Sequence, residues 1–102
     1  MSLKVRYMGK IRGEVINGVY VTPRKPNHFF KKYQGFGISL KILKTLENRG
    51  ISQMTIIYYG KEITRYKANF SDFRAYGIKY TDTTEGTPDE QLILSTKHMK
   101  VI

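Results

Sequence analysis

Between Ser52 and Tyr59, Met54, Ile56 and Tyr58 alternate with Thr55, Ile57 and Tyr59, the two-residue period that sends successive side chains to opposite faces of a β-strand. Gly60-Lys61 then suits a tight turn into Glu62–Lys67, so this stretch predicts a hairpin. Leu3–Met8 and Ile11–Ile16 are short runs of β-prone residues. Asn17-Gly18, set between Glu14–Ile16 and Val19–Val21, is the two-residue signal of a second hairpin. The period changes after Ser39. Leu40, Ile42, Leu43 and Leu46 form an apolar stripe on a helix over about Ser39–Asn48, with Ser39 as N-cap, Gly50 near the C-cap, and Lys41, Lys44 and Arg49 on the wet side.

The connecting stretches are read from their turn chemistry. Thr22-Pro-Arg-Lys-Pro-Asn27 predicts an extended loop, since two prolines remove backbone donors and push the preceding residues out of the helical region. Asn27–Phe36 predicts a short helical turn ended by Gly37. Asn69 is placed to cap a two-turn helix from Phe70, with Asp72 in the manner of a capping box and Gly77 as the stop. Ile78–Thr81 and Gln91–Ser95 predict strands joined by a polar loop over Asp82–Asp89, and the tail from Thr96 fits no single element. The fold class expected is α+β: two β-hairpins with associated helices in one small domain.

One pattern repeats. Phe30, Tyr33, Phe36, Gly37 and Ile38 return forty positions later as Phe70, Phe73, Tyr76, Gly77 and Ile78. A glycine in the left-handed conformation just past a helix lets the following residue pack back on the last turn, so Ile38 is expected against Tyr33 and Ile78 against Phe73. A duplicated unit, with pseudo-symmetric half-motifs over about 3–50 and 51–102, and convergent helix-end chemistry both give this pattern. In the first case, a groove at the junction of the halves would suit a peptide or a strand.

Charge shifts the expectation toward a polyanion. Eighteen Lys and Arg stand against eight Asp and Glu, a net +10, and fourteen of the basic groups with only three acidic ones fall within residues 1–67. Such a field draws nucleic acid with salt-dependent, sequence-independent affinity, although lysine also serves solubility. Arg24, Lys25, His28, Lys31, Lys32 and Tyr33 crowd into ten residues with Phe29 and Phe30, supplying cations for phosphates and an aromatic for a base. Lys61, Arg65 and Lys67 would extend that surface, with Lys41 and Lys44, if their elements lie side by side. The candidate nucleic-acid-binding residues are therefore Arg24, Lys25, Lys31, Lys32, Tyr33, Lys61, Arg65 and Lys67. Phe29, Phe30 and Phe36 belong to the core, and of Tyr58 and Tyr59 one is expected inside and one out.

Chemistry of other kinds has little to stand on. The chain has no cysteine, which excludes disulfides and thiolate zinc sites, and its two histidines, His28 and His98, have no metal-site spacing. Asp82, Glu85, Asp89 and Glu90 followed by Lys97 could be drawn together as a metal-dependent nuclease site, but they fall in a polar Gly-Thr-Pro loop where charge is common without chemistry. No phosphate-binding glycine loop is present. The expectation is a non-catalytic binding module without metal or cofactor. No apolar run nears the roughly 18 residues of a membrane helix, and Met1-Ser-Leu-Lys lacks a signal-peptide core, so an intracellular setting is expected. Lack of cysteine, richness in Lys, Ile and Tyr, and the Phe30–Ile38 and Phe70–Ile78 segments together resemble the small proteins of filamentous viruses that infect hyperthermophilic archaea. That resemblance implies a host-cell or virion setting and protein–protein contacts, and it transfers no functional residue.

Overall fold

The computed structural model describes residues 2–81 and 86–102. Strands β1 (Ser2–Tyr7), β2 (Lys10–Ile16) and β3 (Val19–Arg24) open the chain, followed by helix α1 (His28–Tyr33), strand β4 (Gly35–Ser39) and helix α2 (Leu40–Asn48). Strands β5 (Gln53–Tyr59), β6 (Ile63–Asn69), β7 (Arg74–Thr81), β8 (Pro88–Ser95) and β9 (Lys100–Val101) complete it, with single 3-10 turns at Phe70–Asp72 and Thr96–His98. The fold is α+β. Six strands make one sheet in the order β1-β2-β3-β5-β6-β9, and three make a second in the order β4-β8-β7. Among the described residues every ladder is antiparallel except β3–β5, whose crossover carries α1, β4 and α2.

Both predicted hairpins form. Asn17 and Gly18 take φ of 50° and 79°, the left-handed pair that a two-residue turn between twisted strands needs. The Gly60–Glu62 connection joins β5 to β6 with Tyr59 opposite Ile63. Helix α2 begins as its sequence predicts, the Ser39 hydroxyl accepting from the Ile42 amide at 3.3 Å, and it buries Ile42, Leu43 and Leu46. These meet Val5, Tyr20, Met54, Ile56 and Ala68 from the large sheet and Phe36, Ile38, Leu92 and Leu94 from the small one. All five residues of β4 are buried.

The aromatic segments depart from expectation. Helix α1 is stopped by Gln34, not Gly37: Gln34 takes φ 48° and its amide donates to the Phe30 carbonyl. The glycine is needed one residue later, where a Cβ on Gly35 would strike the Leu94 carbonyl across the β4–β8 ladder. Gly37 is a strand residue opposite Ile93, and Ile38 lies opposite Leu92. After Asn69, which makes no side-chain cap, there is one 3-10 turn instead of a two-turn helix, and Gly77 falls inside β7 at a register shift between Ala75 and Ile78. Both segments therefore lead into strands, β4 and β7, that flank β8 on either side. Neither ends a helix on its glycine. The expected packing of Ile78 on Phe73, the side chain of Phe29, and Asp82 and Glu85 lie outside the described residues. Each sheet draws strands from both sides of residue 50, and no pseudo-symmetry is shown.

Candidate functional site

The small sheet and both helices cover one face of the large sheet. The other face is open, and strand alternation decides what it shows. On β1, Leu3, Val5 and Tyr7 belong to the covered side, leaving Lys4 and Arg6 outward; on β6, Tyr66 and Ala68 point in, leaving exposed Ile63, Arg65 and Lys67. One row runs unbroken across all six strands: Lys4, Glu14, Val21, Thr55, Lys67, Lys100, each directly opposite the next. A second holds Pro23, Ile57 and Arg65. Tyr59, 43% exposed, lies beside Ile63 at 58%. None of these outward residues is buried. The face therefore has a middle of Val21, Pro23, Thr55, Ile57 and Tyr59, with Lys4 and Arg6 on one margin and Arg65, Lys67 and Lys100 on the other. The margins stand four strand spacings apart, about 19 Å.

The eight residues selected from sequence are divided by the sheet. Arg65 and Lys67 stand on the open face, and exposed Lys61 sits in the β5–β6 turn at its end. Lys31 and Lys32 are exposed on α1, with the Lys32 ammonium 5.3 Å from the Tyr33 ring centre. That helix packs on the covered side through Phe30, which stacks on Tyr58 at 4.7 Å and meets Phe36 at 5.0 Å. Arg24 and Lys25 line a cleft on the same covered side. Lys41 and Lys44 ride on α2, so they do not extend a stripe with Arg65 and Lys67. Tyr58 is the inward and Tyr59 the outward member of its pair. Sequence reasoning missed Lys4, Arg6 and Lys100. The first two could have been found from the alternation Leu3-Lys-Val-Arg-Tyr7; Lys100 belongs to a two-residue strand with no pattern of its own.

The cleft lies between the sheets, with a volume of about 530 Å³. Two backbone devices open it. The β1–β2 register shifts so that Val5 faces Gly13 but Arg6 faces Ile11, leaving Arg12 without a partner, and this bulge turns the Arg12 side chain into the cleft. The β2–β3 ladder ends at Glu14–Val21, beyond which Pro23 has no amide to donate and the Thr22 hydroxyl bonds the Arg12 carbonyl at 2.7 Å. Arg12, Arg24 and Lys25 then line one wall, and Ile38, Ile42 and Ser39 the other. Burial lowers the pKa of the half-buried Arg24 guanidinium, Arg12 nearby adding to the effect. Tyr20 is fully buried, its ring lying over Gly13, and burial pushes its phenol up while Thr22 and the two arginines pull it back.

The acidic residues form no metal site: among the described residues there is no cluster of three His, Asp or Glu able to hold an ion. Asp89, which lies in β8 instead of a loop, serves the fold. Its carboxylate accepts from the Tyr7 hydroxyl, from Ser39 Oγ at 2.6 Å, and from the amides of Glu90 at 2.7 Å and Lys41 at 3.3 Å. Burial alone would raise its pKa; these hydrogen bonds outweigh burial and hold it below the usual carboxylate value. His28, His98 and Lys97 are exposed. No helix among the described residues is long and apolar enough to cross a membrane. No family model, curated protein or solved structure matches this chain.

Proposed function

We propose that this protein binds single-stranded nucleic acid across the open face of its large sheet. The observation that carries the reading is the arrangement of that face: a partly apolar floor with an exposed tyrosine, bounded by Lys4 and Arg6 on one margin and Arg65, Lys67 and Lys100 on the other, against Glu14 as its acidic group. Bases laid on Tyr59 and the aliphatic middle would exclude water, while phosphates reach the marginal cations. A single strand suits this better than a duplex, whose bases are already stacked and cannot use the floor.

Fluorescence anisotropy of labelled single-stranded DNA and RNA oligonucleotides and of a duplex, titrated between about 50 and about 300 mM salt, tests it. Tight binding of the single strands with a steep salt slope is expected. Replacing Lys4, Arg6, Arg65, Lys67 and Lys100 by Ala should flatten that slope by about 3 to 4, at roughly 0.7 per phosphate neutralised. The control variant Lys25, Lys31, Lys32→Ala, which removes three charges on the other side of the sheet, should leave most of the slope in place. Absence of binding at the lowest salt would end the proposal, and an equal loss in both variants would reduce it to unlocalised charge attraction.

A further inference from the structure

We infer that the cleft between the two sheets is a second, separate site, which holds a phosphate monoester of mononucleotide size with its phosphate on Arg12, Arg24 and Lys25 and its body against Ile38 and Ile42. The site opens on the opposite side of the large sheet from the face proposed for a strand, and the reading stands or falls independently of that face.

The first argument is unpaired positive charge in a confined place. Arg24 is half-buried, exposed Arg12 lines the same cleft, and among the described residues no carboxylate pairs with Arg12, Arg24 or Lys25. Two guanidiniums drawn together without an acid between them are costly unless something anionic joins them, and a phosphate accepts from guanidinium forks in pairs. Asp89, which lies behind Tyr7 and Ser39 of the cleft, is spent on those two side chains and two backbone amides.

A second observation comes from Tyr20. Its side chain is 0% exposed, and its hydroxyl is a buried polar group with no hydrogen-bond partner. The Thr22 hydroxyl beside it donates to the Arg12 carbonyl, which leaves the lone pairs of its oxygen as the nearest acceptor for the phenol. This orphan stands among Thr22, Arg12 and Arg24, three residues of the cleft wall. Native folds rarely leave such a donor unmet, because the cost is about 1 to 3 kcal/mol. The phenol does not itself line the cleft, so it marks the polar ground behind the wall that Thr22 and the two arginines hold and is not a ligand contact.

The third observation is shape. About 530 Å³ is within the range of small-molecule sites and well beyond what an inorganic phosphate fills. Opposite the cations the wall has an aliphatic part, Ile38 and Ile42, set beside polar Ser39 and Gln91 and supported from behind by the core. The cleft thus pairs a charged end with an apolar one, which is the polarity of a phosphate monoester carrying an aromatic or apolar body. A free mononucleotide and the phosphorylated end of a nucleic-acid strand share that chemistry.

Isothermal titration calorimetry at low salt distinguishes these sources and tests the site, using 5′-AMP, adenosine, inorganic phosphate, and a short oligothymidylate with either a 5′-phosphate or a 5′-hydroxyl. The expected result is that 5′-AMP binds at least about tenfold more tightly than adenosine or phosphate, and that Arg24→Gln and Arg12→Gln each weaken it about tenfold. Lys25→Gln, an exposed loop change that cannot unfold the chain, should weaken it several-fold and keeps the test intact if either arginine variant fails to fold. Substituting Arg65 and Lys67 should leave 5′-AMP binding unchanged. A 5′-phosphate that tightens the oligomer several-fold over its hydroxyl twin identifies a strand end as the ligand; no difference, with 5′-AMP bound, identifies the free nucleotide. Failure of every phosphate-bearing probe to bind at millimolar concentration overturns the proposal, as does an equal loss in the Arg65/Lys67 variant.

Discussion

On the open face of the large sheet, Lys4, Arg6, Arg65, Lys67 and Lys100 reach solvent by strand alternation alone; in the cleft behind it, Arg12 is placed by a β-bulge and Arg24 by a strand whose ladder a proline has cut short. The outer charges are independent of the backbone, although Lys67 and Lys100 stand directly opposite each other. Those of the cleft are tied to Gly13, Thr22 and Tyr20, which lie in or against the core. Basic residues of one composition thus form two kinds of surface: one whose charge can be rewritten without touching the fold, and one in which charge and fold change together.

That difference can be broken most forcefully at Gly13. A Cβ there would sit 2.6 Å from both the Tyr20 ring and the Val21 carbonyl, and the carbonyl belongs to the ladder and cannot give way. Gly13→Ala should lower unfolding free energy by about 3 kcal/mol in urea denaturation, with whatever fold survives losing the cleft but keeping the outer cations. Next comes Asp89→Asn, expected to cost about 2 kcal/mol at neutral pH because charge-assisted hydrogen bonds behind Tyr7 and Ser39 of the cleft are lost. The folded carboxyl titrates below its unfolded value, so its contribution is complete above about pH 3.9 and disappears as pH falls through the lower folded value. The gap between wild type and Asp89→Asn should therefore narrow in melts run at successively lower pH below about 3.9; a gap unchanged by acid would show that the carboxylate's charge is not what matters.

Two smaller changes sharpen the other side of the comparison. Tyr59→Ala should weaken single-strand binding by about 1 kcal/mol, near the low end for base stacking, and leave duplex binding unaltered. Equal losses on both would mean that Tyr59 is not a stacking floor. Arg65→Ala should reduce the salt slope by roughly 0.7 and move stability by no more than about 0.5 kcal/mol. A larger stability change would contradict the independence of the outer charges.

What the sequence revealed follows the range of the interactions involved. The Asn17-Gly18 hairpin, the β5–β6 hairpin and the Ser39-capped helix depend on neighbours a few residues away, and all three appear as read. The Phe30–Ile38 segment was misread because Gly37 carries the local signature of a helix stop, while its role is set by a strand partner near residue 93. Asp89 looked like loop charge for the same reason: its partners Tyr7, Ser39 and Lys41 are distant in sequence. The basic character was evident from composition, but its division into two faces was not. Clustering along the chain favoured Arg24–Tyr33, whereas the sheet gathers Lys4, Arg6, Arg65, Lys67 and Lys100 from both ends of it.

The long wait of β4 for its partner has a consequence for how the molecule is made. Gly35 lies opposite Ser95 and Ser39 opposite Gln91, and β4, buried on both sides, has no other strand beside it among the described residues. As the chain leaves the ribosome, the β1–β2–β3 meander can pair at once, but β4 and the apolar stripe of α2 stay uncovered until β8 emerges. Such distant pairing makes for slow closure and a period in which sticky strands are open to neighbours. The crowding of lysine and arginine into the first two thirds of the chain puts like charge on that uncovered stretch, and like charge opposes the association of half-made copies.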